Sequence, residues 1–181
     1  DGILRGVNGT IFAYGQTSSG KTFTMQGGQY GQGQAGVMQL AADQIFATIE
    51  QKRDFDFLLR CTYVEVYNEQ LRDLLDESGG TKAAASRGVQ IREDPQKGVY
   101  VDGATEEIVT DAAGIVALVA RGERCRSVGA TAMNERSSRS HTVFRIVVES
   151  KATQGAEADG VLVGALSLVD LAGSESVRHT G

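Results

Sequence analysis

The chain reads as an α/β fold, a central mostly parallel or mixed β-sheet flanked by helices, and three observations predict it. The octapeptide Gly15-Gln16-Thr17-Ser18-Ser19-Gly20-Lys21-Thr22 matches G-x-x-x-x-G-K-[ST], and the β-branched and aromatic stretch Thr10-Ile11-Phe12-Ala13-Tyr14 precedes it as a buried strand running into the loop. A nearly continuous apolar run over 161–169 has the pattern of a buried central strand and ends in Asp170. Between them, apolar residues recur with period two over 55–67 and at helical spacing over 37–52. Strand, glycine-rich loop and helix in that order, with an acid closing a second buried strand, is the arrangement of the phosphate-loop NTPases.

The residue types of the loop follow from what it must hold. Gly15 and Gly20 let the backbone wrap inward, so that the N–H groups of Gln16, Thr17, Ser18 and Ser19 point at phosphate oxygens, and the helix that begins near Gly20 adds its positive end. Lys21 supplies a point charge for the β- and γ-phosphates, and the Thr22 hydroxyl is placed to ligate Mg²⁺.

The other elements follow in order. Residues 21–25 open a helix that the glycines of 27–33 interrupt as a surface loop. The helix resumes over 37–52, with Val37, Leu40, Ala41, Gln44, Ile45, Thr48 and Ile49 along one face. The alternation at 55–67 sets Phe57, Leu59, Cys61 and Tyr63 opposite Leu58, Thr62, Val64 and Val66 in a long strand. Asn68 is placed to cap a short helix over 69–75, and 79–87 is a loop of small and basic residues. Short strands at 89–92 and 99–101, joined through Asp94-Pro95-Gln96-Lys97-Gly98, make a surface hairpin. Asp111 caps a helix to about Gly122 with Ile115, Leu118 and Val119 facing inward, and Arg121, Arg124 and Arg126 make its far end basic. A strand over 141–150 and a polar loop over 153–160 lead into the apolar run.

Composition narrows the function classes. At 181 residues, with 41% apolar and 23% charged residues, the chain suits one domain with a real core. No run approaches the roughly 18 apolar residues a membrane helix needs, and Asp1-Gly2-Ile3-Leu4-Arg5-Gly6 has no signal-peptide pattern. No membrane partner is expected, and the cytosol is the simplest compartment. Cys61 and Cys125 lie far apart without Cys or His at ligand spacing, so both are expected to be reduced and structural, and neither His141 nor His179 is expected to bind metal. A net charge of −5 argues against a general nucleic-acid binder.

Two further stretches bear on a nucleotide. Asp170-Leu171-Ala172-Gly173 is a D-x-x-G turn at a strand end, where an acid supports Mg²⁺ and a glycine N–H reaches the γ-phosphate. Asn134-Glu135-Arg136-Ser137-Ser138-Arg139-Ser140-His141 read alone is a solvated connection; beside the other two motifs, its hydroxyls are candidates to complete the Mg²⁺ shell and to hold an attacking water.

Asn8 through Thr22, the N-x-x-S-S-R-S-H stretch from Asn134 to His141, and Asp170-Leu171-Ala172-Gly173-Ser174-Glu175 together resemble the kinesin motor domain. Tyr63-Val64-Glu65-Val66-Tyr67-Asn68-Glu69 followed by Asp73-Leu74-Leu75 also resembles a signature of that family, so the likeness covers essentially the whole chain. Gly98-Val99-Tyr100-Val101, Glu106-Glu107 and Gly129-Ala130-Thr131 are most similar to the centromere-associated kinesin-7 group.

The resemblance implies an ATP-driven microtubule motor. Lys21 grips the β- and γ-phosphates; Thr22 and Ser138 bind Mg²⁺, and Asp170 holds the metal's water; Phe23 approaches the adenine, and Asn134 joins the nucleotide-binding set. Ser137 helps position the lytic water, Gly173 N–H senses the γ-phosphate, and Arg139 and Glu175 form an ion pair between the two switch loops. The surviving candidates for contact with acidic tubulin are the hairpin at Arg92 and Lys97 and the helix end at Arg121, Arg124 and Arg126.

The chain departs from the family's pattern in length. It starts after the strands that carry the family's R-x-R-P base-binding motif and stops six residues after Glu175, before the main microtubule-binding helix and the neck linker. It therefore reads as a motor-domain fragment over 1–181, marginally stable alone, from a parent that dimerises through a stalk elsewhere and works on microtubules in the cytoplasm. One alternative is a catalytically silent nucleotide- or microtubule-binding piece. A Ras-like GTPase shares the loop and D-x-x-G but needs an N/T-K-x-D guanine reader, and Thr81-Lys82-Ala83-Ala84 lacks the acid.

Overall fold

The computed structural model describes residues 2–28, 33–76, 88–95, 98–128, 136–154 and 160–175. A 3₁₀ turn at Gly2–Arg5 leads into β1 (Gly9–Ala13), α1 (Lys21–Gln26) and α2 (Val37–Glu50). Next come β2 (Phe55–Tyr67), β3 (Gln70–Asp73), the pair β4 (Gln90–Asp94) and β5 (Gly98–Asp102), and β6 (Glu107–Val109). Helices α3 (Ala112–Val128) and α4 (Arg136–Arg139) precede the long strands β7 (His141–Ala152) and β8 (Val161–Asp170).

The main sheet runs β1-β8-β7-β2-β3, with β6 also paired to β2, and β4 and β5 form a separate two-stranded hairpin. Of the two sheet types expected, it is the mixed one: β1 and β8 are parallel, and the other described pairs are antiparallel. Alternation along β7, and along β2 as far as Tyr63, gives the sheet one dry face. Leu59, Cys61 and Tyr63 from β2 and Phe144, Ile146 and Val148 from β7 join Leu168 of β8 in a single cluster with Met25 of α1, Met38, Ala42 and Ile45 of α2, and Ile115 and Leu118 of α3. Tyr63 and Phe144 meet edge to face with ring centroids 5.3 Å apart.

Several expectations are corrected. The strand before the loop is not buried: among the described residues β1 pairs only with β8, and Ile11, Phe12 and Tyr14 are exposed, Phe12 by 62%. The α2 face is partly the one expected: Ile45 is buried and Val37, Ala41 and Ile49 pack against the core, but Met38 and Ala42 are buried beside them and Leu40 is 56% exposed. In place of a helix at 69–75, Asn68 and Glu69 take positive φ (50° and 58°) and turn the chain back as β3, with Tyr67 paired to Gln70. A two-residue hairpin loop with left-handed backbone at both positions continues the twist of its strands, and Asn tolerates that conformation. Helix α3 is capped as expected, the Asp111 carboxylate accepting the Gly114 N–H at 2.7 Å, but it continues through Gly122 to Val128. Gly122 does not break it because the helix presses there on Tyr63, whose ring a Cβ would overlap.

The strand over 55–67 and the hairpin of β4 and β5 stand where the sequence put them. The loop over 79–87 lies outside the described residues. Among the described residues no helix is long and apolar enough to cross a membrane.

Candidate active site

Register brings three distant segments together. The β1–β8 pairing sets Ala13 beside Asp170, and the β7–β8 pairing sets Thr142 on the other side of Asp170. The loop after β1, the turn after β8 and the approach to β7 therefore meet at one end of the sheet, outside the carboxyl ends of two adjacent parallel strands, where α/β folds bind ligands.

The loop is held in shape from within. Ser19 N–H donates to Gln16 O at 3.2 Å, and Gly20 takes φ +89° before α1 begins. Ser18 stands at φ +63°, a left-handed position that a side chain occupies at a cost. The Lys21 ammonium donates back to the carbonyls of Gly15 (2.9 Å) and Gln16 (2.8 Å). Thr22 donates its hydroxyl to Asp170 Oδ2 at 2.6 Å.

Asp170 is 2% exposed, and its other oxygen, Oδ1, is buried without a hydrogen-bond partner among the described residues. A carboxylate oxygen hidden from water and left over beside a threonine hydroxyl is the kind of hard-oxygen donor set that suits a divalent cation. The residues present thus fit Mg²⁺.

The turn after β8 is stitched to both neighbours. Leu171 N–H donates to Ala13 O (3.3 Å), Ala172 N–H to His141 Nδ1 (3.1 Å), Gly173 N–H to Ser138 O (2.8 Å) and Ser174 N–H to Gly15 O (3.0 Å). The outer two amides, of Leu171 and Ser174, thus reach toward β1 and the phosphate loop, and the inner two, of Ala172 and Gly173, toward the start of β7 and the residues before it. Glu175 ends the series, accepting the Thr17 N–H at 2.9 Å and the Thr17 hydroxyl. Those two bonds, the hydroxyl first, hold its carboxyl below the ordinary carboxylate range, with Lys21 a smaller influence. A Cβ at 173 would meet the Thr17 hydroxyl and the Glu175 carboxylate, so a side chain there would displace their contact.

The expected ion pair of Arg139 with Glu175 is therefore not the arrangement found. Ser174 on Gly15 fixes the chain where Thr17 offers two donors, and Arg139 lies exposed without an ion pair to Glu175. Gly173 N–H likewise meets the Ser138 carbonyl. Gln16, Ser18, Ser19 and Phe23 are exposed at the loop surface. Ser137 is the second residue of α4, next to Ser138, and Asn134 lies outside the described residues.

The expected basic surface does not form as a unit. Arg126 is 6% exposed, Arg121 is paired with Glu107 at 2.6 Å, and Arg92 with Asp102 at 2.8 Å; Arg124 is exposed, and Lys97 lies outside the described residues. Sequence reasoning missed the burial of Arg126 and of Glu65. The signal was present, since Glu65 falls in phase with buried Cys61 and Tyr63 on β2, and a charge on the dry face of a strand demands a partner.

The fold and the loop define a domain of the phosphate-loop NTPase fold. The kinesin motor domain family matches over residues 1–181, and the chain belongs to that family. It is 46% identical over 186 residues to Kinesin-like protein KIN-7I of Oryza sativa subsp. japonica and 46% identical over 178 residues to Kinesin-like protein KIN-7N of Arabidopsis thaliana. These alignments cover 100% and 98% of this chain but 14% and 20% of the relatives. Both carry the KIN-7 designation, in keeping with the kinesin-7 likeness of the sequence. A solved structure of a fast kinesin, described for its ATPase mechanism and interactions with microtubules, superposes with a TM-score of 0.86 at 39% identity, covering 99% of this chain and 48% of that one.

Proposed function

We propose that this chain is the nucleotide-hydrolysing part of a microtubule motor, binding Mg²⁺-ATP on the loop at 15–22. The observation that carries the reading is the meeting of Thr22, Asp170 and the 171–175 turn at one end of the sheet. Thr22, Ser138 and Asp170 would hold Mg²⁺, which lowers the charge repulsion between the phosphates and the attacking water.

Every other part of the work falls to this chain. Lys21 leaves the Gly15 and Gln16 carbonyls for the β- and γ-phosphates, and the loop amides take the remaining phosphate oxygens. Gly173 N–H exchanges its bond to Ser138 for one to the γ-phosphate, and Glu175 exchanges Thr17 for Arg139. Ser137 and the new pair then position the lytic water and carry its proton away. Loss of the γ-phosphate removes the contact that held this second arrangement, and the turn returns to the bonds described above; that exchange couples hydrolysis to the protein's grip on the microtubule. The parent protein dimerises through a stalk and works on microtubules in the cytoplasm.

The test is ATP turnover by the full-length protein with and without microtubules, Lys21→Ala serving as control. We expect turnover that microtubules stimulate, and loss of nucleotide binding in the variant. Binding without turnover supports the silent alternative, which the seating of Glu175 on Thr17 favours. A preference for GTP overturns the motor reading.

A further inference from the structure

Behind the loop lies a second polar cluster that the proposed chemistry does not use. Arg126 of α3 donates from Nη2 to Ser140 Oγ at 3.0 Å. Its Nε stands 3.6 Å from Glu65 Oε1, and its Nη1 stands 3.6 Å from Glu123 Oε2. Arg126 is 6% exposed, Glu65 fully buried and Ser140 1% exposed. Glu123 also accepts the Tyr63 hydroxyl, and the Tyr63 oxygen accepts from Gln26 Nε2 at 3.4 Å. Burial, with the Glu123 carboxylate beside it, pushes the Tyr63 hydroxyl well up, so it stays a donor.

The two ends of this chain of contacts matter. Gln26 is the last residue of α1, the helix that the phosphate loop opens. Ser140 directly follows Arg139 and comes two residues after Ser138, whose carbonyl accepts from Gly173 N–H. A fully buried carboxylate and a buried guanidinium, with the half-buried Glu123 carboxylate beside them, are a costly arrangement, and replacing such groups by apolar ones is often neutral or stabilising. What the cluster supplies is orientation. A guanidinium has five donors in a rigid plane and can hold a hydroxyl and two carboxylates in one fixed geometry, which the three rotatable donors of an ammonium on a flexible stem do not impose.

We propose that Arg126 is a positioning residue: through the Ser140 hydroxyl it holds the backbone of 138–140 against the phosphate loop. Turnover as a readout rests on the ATPase reading above; the position of the backbone does not. The experiment compares full-length wild type with Ser140→Ala, Arg126→Lys and the double variant, measuring ATP turnover and hydrogen exchange of the amides at 138–141.

We expect each single variant to lower kcat about 10- to 100-fold, a misplacement on the scale of an ångström, with KM for ATP within about two-fold. Exchange at 138–141 quickens about ten-fold in each, and the double variant is no worse than the singles, because both remove one contact. Additive losses, or Ser140→Ala with wild-type turnover and exchange, overturn the proposal. If wild type turns over no ATP, the ATPase reading fails and exchange alone decides this one. If Arg126→Lys does not fold, Ser140→Ala decides it.

Discussion

Glu175 sits on Thr17, its carboxylate accepting both the backbone N–H and the hydroxyl of that residue. The Thr17 amide is one of those the loop offers to a phosphate, so an anion of the protein rests where an anion of the ligand is expected. Nucleotide entry and the release of Glu175 are then one event. Glu175→Ala should bind ATP as tightly as wild type or more tightly, because nothing has to be displaced, while turnover falls by about two to three orders of magnitude for want of a group that acts on the water. Equilibrium binding of a fluorescent ATP analogue and single-turnover rates separate the two effects. Equal losses of binding and turnover would refute the assignment.

The same contact sets a pH dependence. The Glu175 carboxyl lies below its ordinary range in the folded chain, chiefly through the Thr17 hydroxyl and then the Thr17 amide. A depressed carboxylate contributes its interaction in full above the unfolded pKa and loses it as pH falls through the folded value. The tie to Thr17 should therefore be unchanged from neutral pH down through the mildly acid range and break only below the usual carboxylate titration. The Thr17 amide resonance followed from pH 7 downward reports it. A midpoint at or above the ordinary carboxylate value speaks against the contact.

A stabilising change is available at the β2–β3 turn. Glu69 holds φ +58° next to Asn68 at +50°. The left-handed conformation costs a side chain about 1–2 kcal/mol, and the greater chain entropy of glycine takes back about 0.5–1 kcal/mol. Glu69→Gly creates an Asn-Gly pair, the preferred two-residue hairpin loop, and should raise stability by up to about 1 kcal/mol. Thermal unfolding measures it, and a lowered Tm contradicts the turn geometry.

What the sequence made legible was local chemistry and strong periodicity. Phe55, Phe57, Leu59, Cys61 and Tyr63 recur at every second position of β2, so the strand was readable even though Val64 and Glu65 break the alternation of burial near its end. The convergence of residues near 15, 138 and 170 was readable too, because each motif demanded the same ligand. Asn68 misled, since the residue that caps a helix also tolerates the left-handed turn, and nothing local separates the two. Partner choice was equally hidden: whether Glu175 meets Arg139 or Thr17 depends on where Ser174 is tied, a contact between residues far apart in the chain. Arg126 read as surface charge because periodicity was followed only to Gly122, while α3 runs on to Val128.

That glycine gives the most direct test of the packing behind the site. Gly122 lies on the face of α3 that meets β2, and a Cβ built there overlaps the Tyr63 ring and comes within 3.3 Å of Leu74 Cβ. Tyr63 cannot yield easily: it is fully buried, stacked edge to face on Phe144 and tied through its hydroxyl to Glu123. Alanine is the better helix former by about 1 kcal/mol, so at an exposed site Gly122→Ala would stabilise. Here overpacking, worth about 1–3 kcal/mol, opposes that gain, and we expect net destabilisation. Denaturant unfolding decides the sign, and Gly122→Ala combined with Tyr63→Phe separates the causes. If the hydroxyl tie is what pins the ring, the double variant recovers part of the loss; if the ring is held by Phe144 alone, it does not.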